Sequence, residues 1–548
     1  GAAAKATDQA AGTAKAAATD AKPADKTADV VIDVEGLETR LLEVPVPPGN
    51  YSDLAMDAKR LYFISRPTGR DGKVALKTLA LDNKKVEPET FTEDPQSYEL
   101  SQDGKKILIR KGREYYVVDA GAKAPSDMAK SSLPLRDWTF SLDPRQEWRQ
   151  MFMEAWRLER DYFYDRGMHG LDWPAMRAKY LPLVDRVTDR AELSDIFAQM
   201  VAELSALHIF VRGGDMRSAE DDAWPASLGA ALVRDEQAGG FRVEHVIQTD
   251  PDRPDRRVPL AHPNVNVVEG DVIEQVNGVP ALSVPDISSL LRGQAGKQVL
   301  LTVKPKSGGT PREVIVEPIS EQEEDGLRYD EWEYTRRLAV ERASNDQIGY
   351  VHLRAMSGGN MAEWMREYYP VFNRAGLIID VRHNSGGNID SWILGRLLRK
   401  AWFYWQPRVG RPYWNMQFAF RGHIVVLVNE RTASDGEAFA EGFRRLGLGR
   451  VIGTRTWGGE IWLSSSNTLV DRGIATAAET GVYGPEGQWL IEGHGVDPDI
   501  VVDNLPNATF GGQDAQLDAA VKYLQELIRT QPIPVPPPPP YPIKRDGR

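Results

Sequence analysis

Two stretches decide the fold: AGLIIDVRHNSGGN, residues 375–388, and HIVVLVNERTASDGEAFAEGF, residues 423–443. Each opens with an unbroken apolar run of strand length. Neither run alternates with polar residues, so both faces of each strand are buried, as in a parallel sheet covered by helices. The first run empties into the glycine pair Gly386–Gly387, and the second into a tight turn with a helix beginning at Ser434. Working outward, IGYVHL and RVIGT supply further strands between helical segments, and a last helix carries Leu517, Val521, Leu524 and Ile528. This is α/β layering.

Upstream the patterns change. From Val30 to about Ala120 short β runs are broken by turns, and Leu54, Asp57, Lys59 and Leu61 return as Leu100, Asp103, Lys105 and Ile107, a spacing of 46. A period of roughly 40–50 with β runs resembles propeller blades, and two blades cannot close a ring. The expectation is that further blades come from upstream sequence or a separate chain. Helical periodicity begins with Asp143 as a cap and Pro144 behind it, then a Trp148/Phe152/Ala155 stripe. A second helix from Asp189, boxed by Glu192, runs to about Ser205, and HIFVRGG reads as a strand. Residues 222–320 look like a PDZ domain: FRVEHVI, the turn-strand-turn Gly270-Asp271-Val272-Ile273…Asn277-Gly278, a helix entered at Pro285, then VLLTVKP and REVIVEP. Leu228, Gly229 and Ala230 are its candidate loop for a peptide carboxylate, with a plain turn as the alternative.

The boundaries read this way are a low-complexity linker at 1–28, partial β-propeller blades at 29–125, a helical domain at 126–214, a PDZ-like domain at 222–320, an α/β core at 321–530 and a proline-rich tail at 531–548. For 548 residues several domains are required. The tail, IPVPPPPPYP, is a polyproline-II segment that either recruits a partner or straps along its own domain. Sixty-seven basic against 79 acidic residues leave a net charge of −12, which argues against nucleic acid as partner. No apolar run reaches the roughly 20 residues of a membrane span. Zero cysteines exclude disulfides, thiolate metal sites and a cysteine nucleophile.

Three loops of the core carry chemistry. Consecutive glycines after a buried strand, at Gly386–Gly387, let backbone N–H groups approach a ligand as an oxyanion hole requires; no Gly-Lys-Ser/Thr follows to make a phosphate loop. Ser434 at a helix N-terminus sits where free N–H groups favour developing negative charge, although Ser434-Asp-Gly-Glu437 also spells an ordinary capping box. The third loop is IEGHGVDPDI with Glu492. Eight histidines could serve as a base, and spacing does not choose among them.

DVRHNSGGN, VNERTASDGEAFAEGF, RVIGTRTWGGE and IEGHGVDPDI occur in this order in the tricorn protease family, related to the tail-specific, C-terminal processing serine peptidases, and the sequence resembles that family from about residue 29 to 530. The resemblance implies a multidomain fold of partial propeller blades, a helical domain ending in the base histidine (ELSALHIF), a PDZ domain and an α/β serine-peptidase core. It implies Ser434 as nucleophile, His208 as general base and Glu492 as supporting carboxylate, with the N–H groups of Asp435 and of Gly386 or Gly387 as oxyanion hole. Metal and cofactor are unnecessary to such chemistry. One position departs from the pattern: archaeal members carry a serine before the histidine, where this chain has Leu207. Glu492 is then expected to serve His208 directly, or through a water or a hydroxyl such as Ser205. The resemblance further implies peptide substrates, a homo-oligomer (a hexamer) and a cytoplasmic location, the periplasm being the alternative. The competing function is a catalytically silent PDZ-and-propeller scaffold; serine, histidine, glutamate and double glycine together favour the enzyme. WFYWQPR (Trp402–Arg408) and Trp457–Trp462 either line the cleft or pack as ordinary aromatics.

Overall fold

The protein is described from a computed structural model. It covers residues 34–543 apart from 41–43, 45, 68–72, 83–86, 136–137, 218, 220–221 and 464–466. The expected linker at 1–28 and the last five residues lie outside the described set. Two compact units divide at Ser141/Leu142, later than the expected boundary at 125. Among the described residues no helix is long and apolar enough to cross a membrane.

The first unit holds two antiparallel meanders. Asn50–Met56, Arg60–Arg66, Ala75–Ala80 and Glu89–Glu93 form one sheet of four strands in sequential order, and Ser97–Leu100, Lys106–Lys111 and Glu114–Asp119 form a second of three. The 46-residue repeat falls on equivalent hairpins: Asp57 accepts the Lys59 N–H at 2.7 Å, and Asp103 accepts the Lys105 N–H at 3.1 Å. A short aspartate at such a turn satisfies the backbone of the reversal itself. Where a fourth strand of the second sheet would run, a single bridge joins Ser132 to Tyr116. Tyr62, Ile64, Leu76, Phe91, Ile107 and Ile109 make one core between the two sheets.

In the second unit the decisive strands form a five-stranded parallel sheet, ordered Ile348–His352, Gly376–Asp380, His423–Val428, Gly449–Gly453 and Ile500–Val501. Side chains alternate between its faces, and both faces are covered. Leu377, Ile379, Val426 and Val428 pack against Trp364, Tyr368, Ile393, Phe439 and Phe443 from the crossover helices. Tyr350, Ile378, Val425 and Leu427 pack against Val340 of a helix spanning Glu321–Ser344 and Leu517, Val521 and Leu524 of a helix spanning Ala515–Thr530. The Glu321 helix, closed by a Ser320–Glu323 capping box, has no apolar stripe strong enough to announce it in the sequence.

The helical domain comprises Pro144–Tyr162, Trp173–Val184 and Arg190–Ala202. Asp143 and Asp189 cap as expected. The indole N–H groups of Trp156 and Trp173 each donate to the other residue's carbonyl at 2.9 Å. HIFVRGG is not the expected strand: only Val211–Arg212 pair, with Ile474–Ala475. That pairing belongs to an excursion of the core chain. Ile461, Leu469, Ala475 and Ala478 sit in the helical core, and Arg190 meets Asp471 at 2.5 Å with both side chains buried. The helical domain is therefore built from two distant parts of the sequence.

The PDZ-like sheet runs Ala230–Asp235, Gly240–Val246, Val272–Val276, Val299–Lys304 and Arg312–Val316. The helix expected at Pro285 is a 3-10 turn, Ile287–Leu291, capped by Asp286.

Candidate active site

Strands 376–380 and 423–428 are neighbours and point the same way, so the loops leaving their C-terminal ends meet. They are stitched together by buried polar groups. Asn384 is fully buried; its amide donates to the Leu353 carbonyl at 2.7 Å, its side-chain oxygen accepts the Gly386 N–H at 2.8 Å, and its carbonyl accepts the Ala433 N–H at 2.9 Å. The Thr432 hydroxyl donates to the Val381 carbonyl at 2.8 Å, and Asn429 accepts the His383 N–H at 3.0 Å. At the root of the glycine loop Arg382 binds Asp380 at 2.7 Å and Asp514 at 2.8 Å, all three side chains buried. Burial alone would raise the Asp380 pKa; Arg382 overrides it and lowers it.

Ser434 stands between strand and helix Asp435–Arg445 with φ 53° and ψ −127°, a conformation costing a non-glycine residue on the order of 1–3 kcal/mol. Glu437 faces it as the partner of a capping box and accepts the Ser434 N–H at 3.0 Å. Gly386 lies so close that a Cβ there would stand 2.5 Å from the Ser434 Cβ, and its φ of +85° is itself a glycine conformation. Of the two candidate glycines, Gly386 has already committed its N–H to Asn384. Among the described residues the N–H groups of Gly387 and Asp435 are donated to nothing.

A third segment, Thr456–Ile461, links this turn to His208. The Trp457 N–H donates to the Thr432 carbonyl at 3.0 Å, and Gly458 and Gly459 donate to Glu437 at 2.7 and 3.0 Å. The Trp457 ring meets His208 edge-on at 5.5 Å. Glu460 and Ile461 donate their N–H groups to Glu492 at 2.7 and 3.2 Å, and the other Glu492 oxygen accepts the Leu207 N–H at 3.1 Å. Glu492 thus grips the backbone beside His208 and not the ring.

His208 is buried, with Phe210 on another edge at 5.8 Å. Burial lowers its pKa below the ordinary 6.5, against the opposing pull of the Ile461 backbone and Glu492. The ring is therefore neutral at pH 7 and able to accept a proton. Among the described residues its Nδ1 has no hydrogen-bond partner, and no hydrogen bond joins the ring to Ser434. Ser205, at φ 50°, does not bridge His208 to Glu492. Earlier in the helical domain, His169 holds the loop that precedes His208: Nδ1–H donates to the Leu204 carbonyl at 2.7 Å, leaving Nε2 to accept from the Tyr164 hydroxyl at 2.6 Å.

The expected residues thus fall in two groups. Ser434, Asp435, Gly386, Gly387, His208 and Glu492 converge through the Thr456–Ile461 segment. Leu228, Gly229 and Ala230 lie in the PDZ-like module, beside a cavity of about 600 Å³ between the unpaired edge of strand Ala230–Asp235 and the Ile287–Leu291 turn. Trp402 and Trp405 are exposed on and beside the hairpin Phe403–Trp405/Tyr413–Asn415, whereas Trp457 packs on the candidate base. Asn384, Glu437 and Trp457 join the site without having been expected to carry chemistry. All three stand within the core motifs, and Glu437 was visible as a capping partner.

Residues 347–502 match the profile of peptidase family S41, residues 144–202 that of the tricorn protease C1 domain and residues 226–321 that of the tricorn protease PDZ domain. The chain is 34% identical over 507 residues to tricorn protease homolog 1 of Streptomyces coelicolor, covering 89% of this chain and 47% of that one. It is 31% identical over 506 residues to a putative tricorn-like protease C-terminal subunit of Sulfurisphaera tokodaii, covering 91% and 58%. A crystal structure of the tricorn protease superposes with a TM-score of 0.79 at 25% identity, over 89% of this chain and 47% of that one. The chain spans about half the length of these relatives. By its three domain matches and these relatives, the chain belongs to the tricorn protease family.

Proposed function

We propose that this chain is a serine peptidase acting on peptides, with Ser434 as nucleophile and His208 as general base. The Ser434 hydroxyl attacks the scissile carbonyl carbon while His208 takes its proton. The oxyanion is received by the N–H groups of Gly387 and Asp435, and His208 then returns the proton to the leaving amine. Water repeats the sequence to release the acyl group. Glu492 acts by holding the backbone on both sides of the cleft. The observation that carries this reading is the pair of N–H groups, of Gly387 and Asp435, that among the described residues are donated to nothing and flank a serine held at φ 53°. The missing Ser434–His208 hydrogen bond does not oppose it, since such bonds are often long before substrate binds. We further propose that the two blade-like sheets are completed by additional blades, and that the working particle is a homo-oligomer.

A fluorophosphonate probe tests the assignment. Labelling at Ser434, lost in Ser434→Ala together with peptide hydrolysis, is the expected result. An unlabelled, correctly folded protein would leave the peptide-binding scaffold as the correct reading.

A further inference from the structure

Thr456–Ile461 is the segment through which the nucleophile turn and the base loop are joined, and Glu460 hangs in the middle of it. It is 2% exposed, and among the described residues its Oε2 has no hydrogen-bond partner and it forms no ion pair. The charged groups that act on it come from two neighbouring helices: Glu437 and Asp435 of helix Asp435–Arg445, and Asp390 at the start of helix Asp390–Leu397. All are acids. Trp462 on its own segment interacts by a side-chain hydrogen bond, and Glu492 receives its backbone N–H. A buried carboxylate without a cation is tolerated only as the neutral acid.

We infer that Glu460 is a positioning residue: while protonated it lets the Thr456–Ile461 segment close on Glu437, Glu492 and His208, and its ionisation opens that segment and switches the peptidase off. This rests on the peptidase reading above. Ionisation would place a further negative charge beside Asp390, Asp435 and Glu437, with no cation paired to it among the described residues. The relief available is for the side chain to turn toward water. That movement withdraws the Gly458 and Gly459 N–H groups from Glu437, those of Glu460 and Ile461 from Glu492, and the Trp457 ring from His208. Burial first, then the neighbouring acids, push the Glu460 pKa up to about 9, so the change falls on the alkaline side. A serine peptidase whose only titrating group there was its histidine would hold a plateau in that range.

The test is the pH profile of kcat/KM for the intact chain and for Glu460→Gln, from about pH 7 to 10, each normalised to its own neutral value. The unaltered chain is expected to lose roughly tenfold between pH 8 and 10, as one ionisation near 9 requires, and Glu460→Gln, which cannot ionise, to stay flat. The same decline in both proteins, or a flat profile in the unaltered chain, overturns the inference. Tryptophan emission follows the same opening without turnover. Trp457 and Trp462 flank the residue, so a transition near pH 9 in the unaltered chain must vanish in Glu460→Gln; a transition shared by both proteins counts against the inference. A protein that shows this transition but is never labelled by the fluorophosphonate refutes the peptidase reading alone.

Discussion

The turn at Ser434 and the loop at His208, the proposed nucleophile and base, are built in opposite ways. Around Ser434 four polar side chains are already committed, while Asp435 has one bonded and, among the described residues, one unpartnered oxygen. Asn384, Thr432, Asn429 and Glu437 are buried and bonded, and the charges beneath are paired through Asp380, Arg382 and Asp514. Around His208 the loop is held by main-chain contacts, Leu207 on Glu492 and Leu204 on His169, while the ring keeps an unpartnered Nδ1. The helical domain also buries Glu159, both of whose oxygens lack partners among the described residues. A strained serine needs a rigid frame before substrate arrives. A base that must shuttle a proton can be steered by its surroundings and completed by the substrate complex.

The harshest test of the rigid half is Gly386→Ala. The new methyl would collide with Ser434 and the backbone at φ +85° disfavours it, so the nucleophile must shift by a fraction of an ångström or more. We expect kcat/KM to fall at least about a hundredfold with folding retained, measured by hydrolysis and by the rate of fluorophosphonate labelling. Unchanged labelling would mean that this turn is not rigid.

For the base loop the corresponding change is Glu492→Gln, which keeps one acceptor and turns the other into a donor facing an N–H. Losing one of the three backbone contacts should lower kcat roughly tenfold, with little effect on KM. The pH profile sharpens the point. Burial already places the His208 acid limb below 6.5, and removing the Glu492 charge, which favours the protonated ring, should carry the limb lower still. A fall of roughly a thousandfold or more would break the comparison, because the carboxylate would then be acting on the ring during turnover.

The mildest effect on rate is expected at Glu159. Burial raises its pKa from 4.5 to about 8, so the folded chain retains a proton that the unfolded chain loses across that interval. Stability therefore falls as pH rises from 4.5 to about 8. Glu159→Met should raise the melting temperature, with the gain widening over this range to a stability difference on the order of a few kcal/mol. A gain independent of pH would show that Glu159 is not held neutral.

Much of the core was legible because its signals are local. Unbroken apolar runs marked the parallel strands, Asp143 and Asp189 marked helix starts, and the 46-residue repeat marked equivalent hairpins. What stayed hidden depends on partners far along the chain. Phe210 meets Thr476 across 266 positions and Leu207 meets Glu492 across 285, so no periodicity near His208 could reveal that HIFVRGG would give only two residues of strand, paired to an excursion from the core. The choice between Gly386 and Gly387 was likewise beyond a sequence in which they are adjacent and identical. It turns on which N–H the Asn384 side chain has already taken.

The Arg382 cluster has a consequence for how the chain comes into being. Arg382 reaches Asp514 and Gln516 across 132 and 134 positions, so the Arg382–Asp380 pair at the root of the glycine loop lacks these two partners until the C-terminal helix has been synthesised. Parallel sheets already assemble slowly, because distant strands must meet before any contact rewards them. A growing polypeptide can thus expose the serine turn to the ribosome's surroundings while the frame that would make it reactive is still missing. The frame around the serine turn is thus completed late, once the C-terminal helix has joined the sheet.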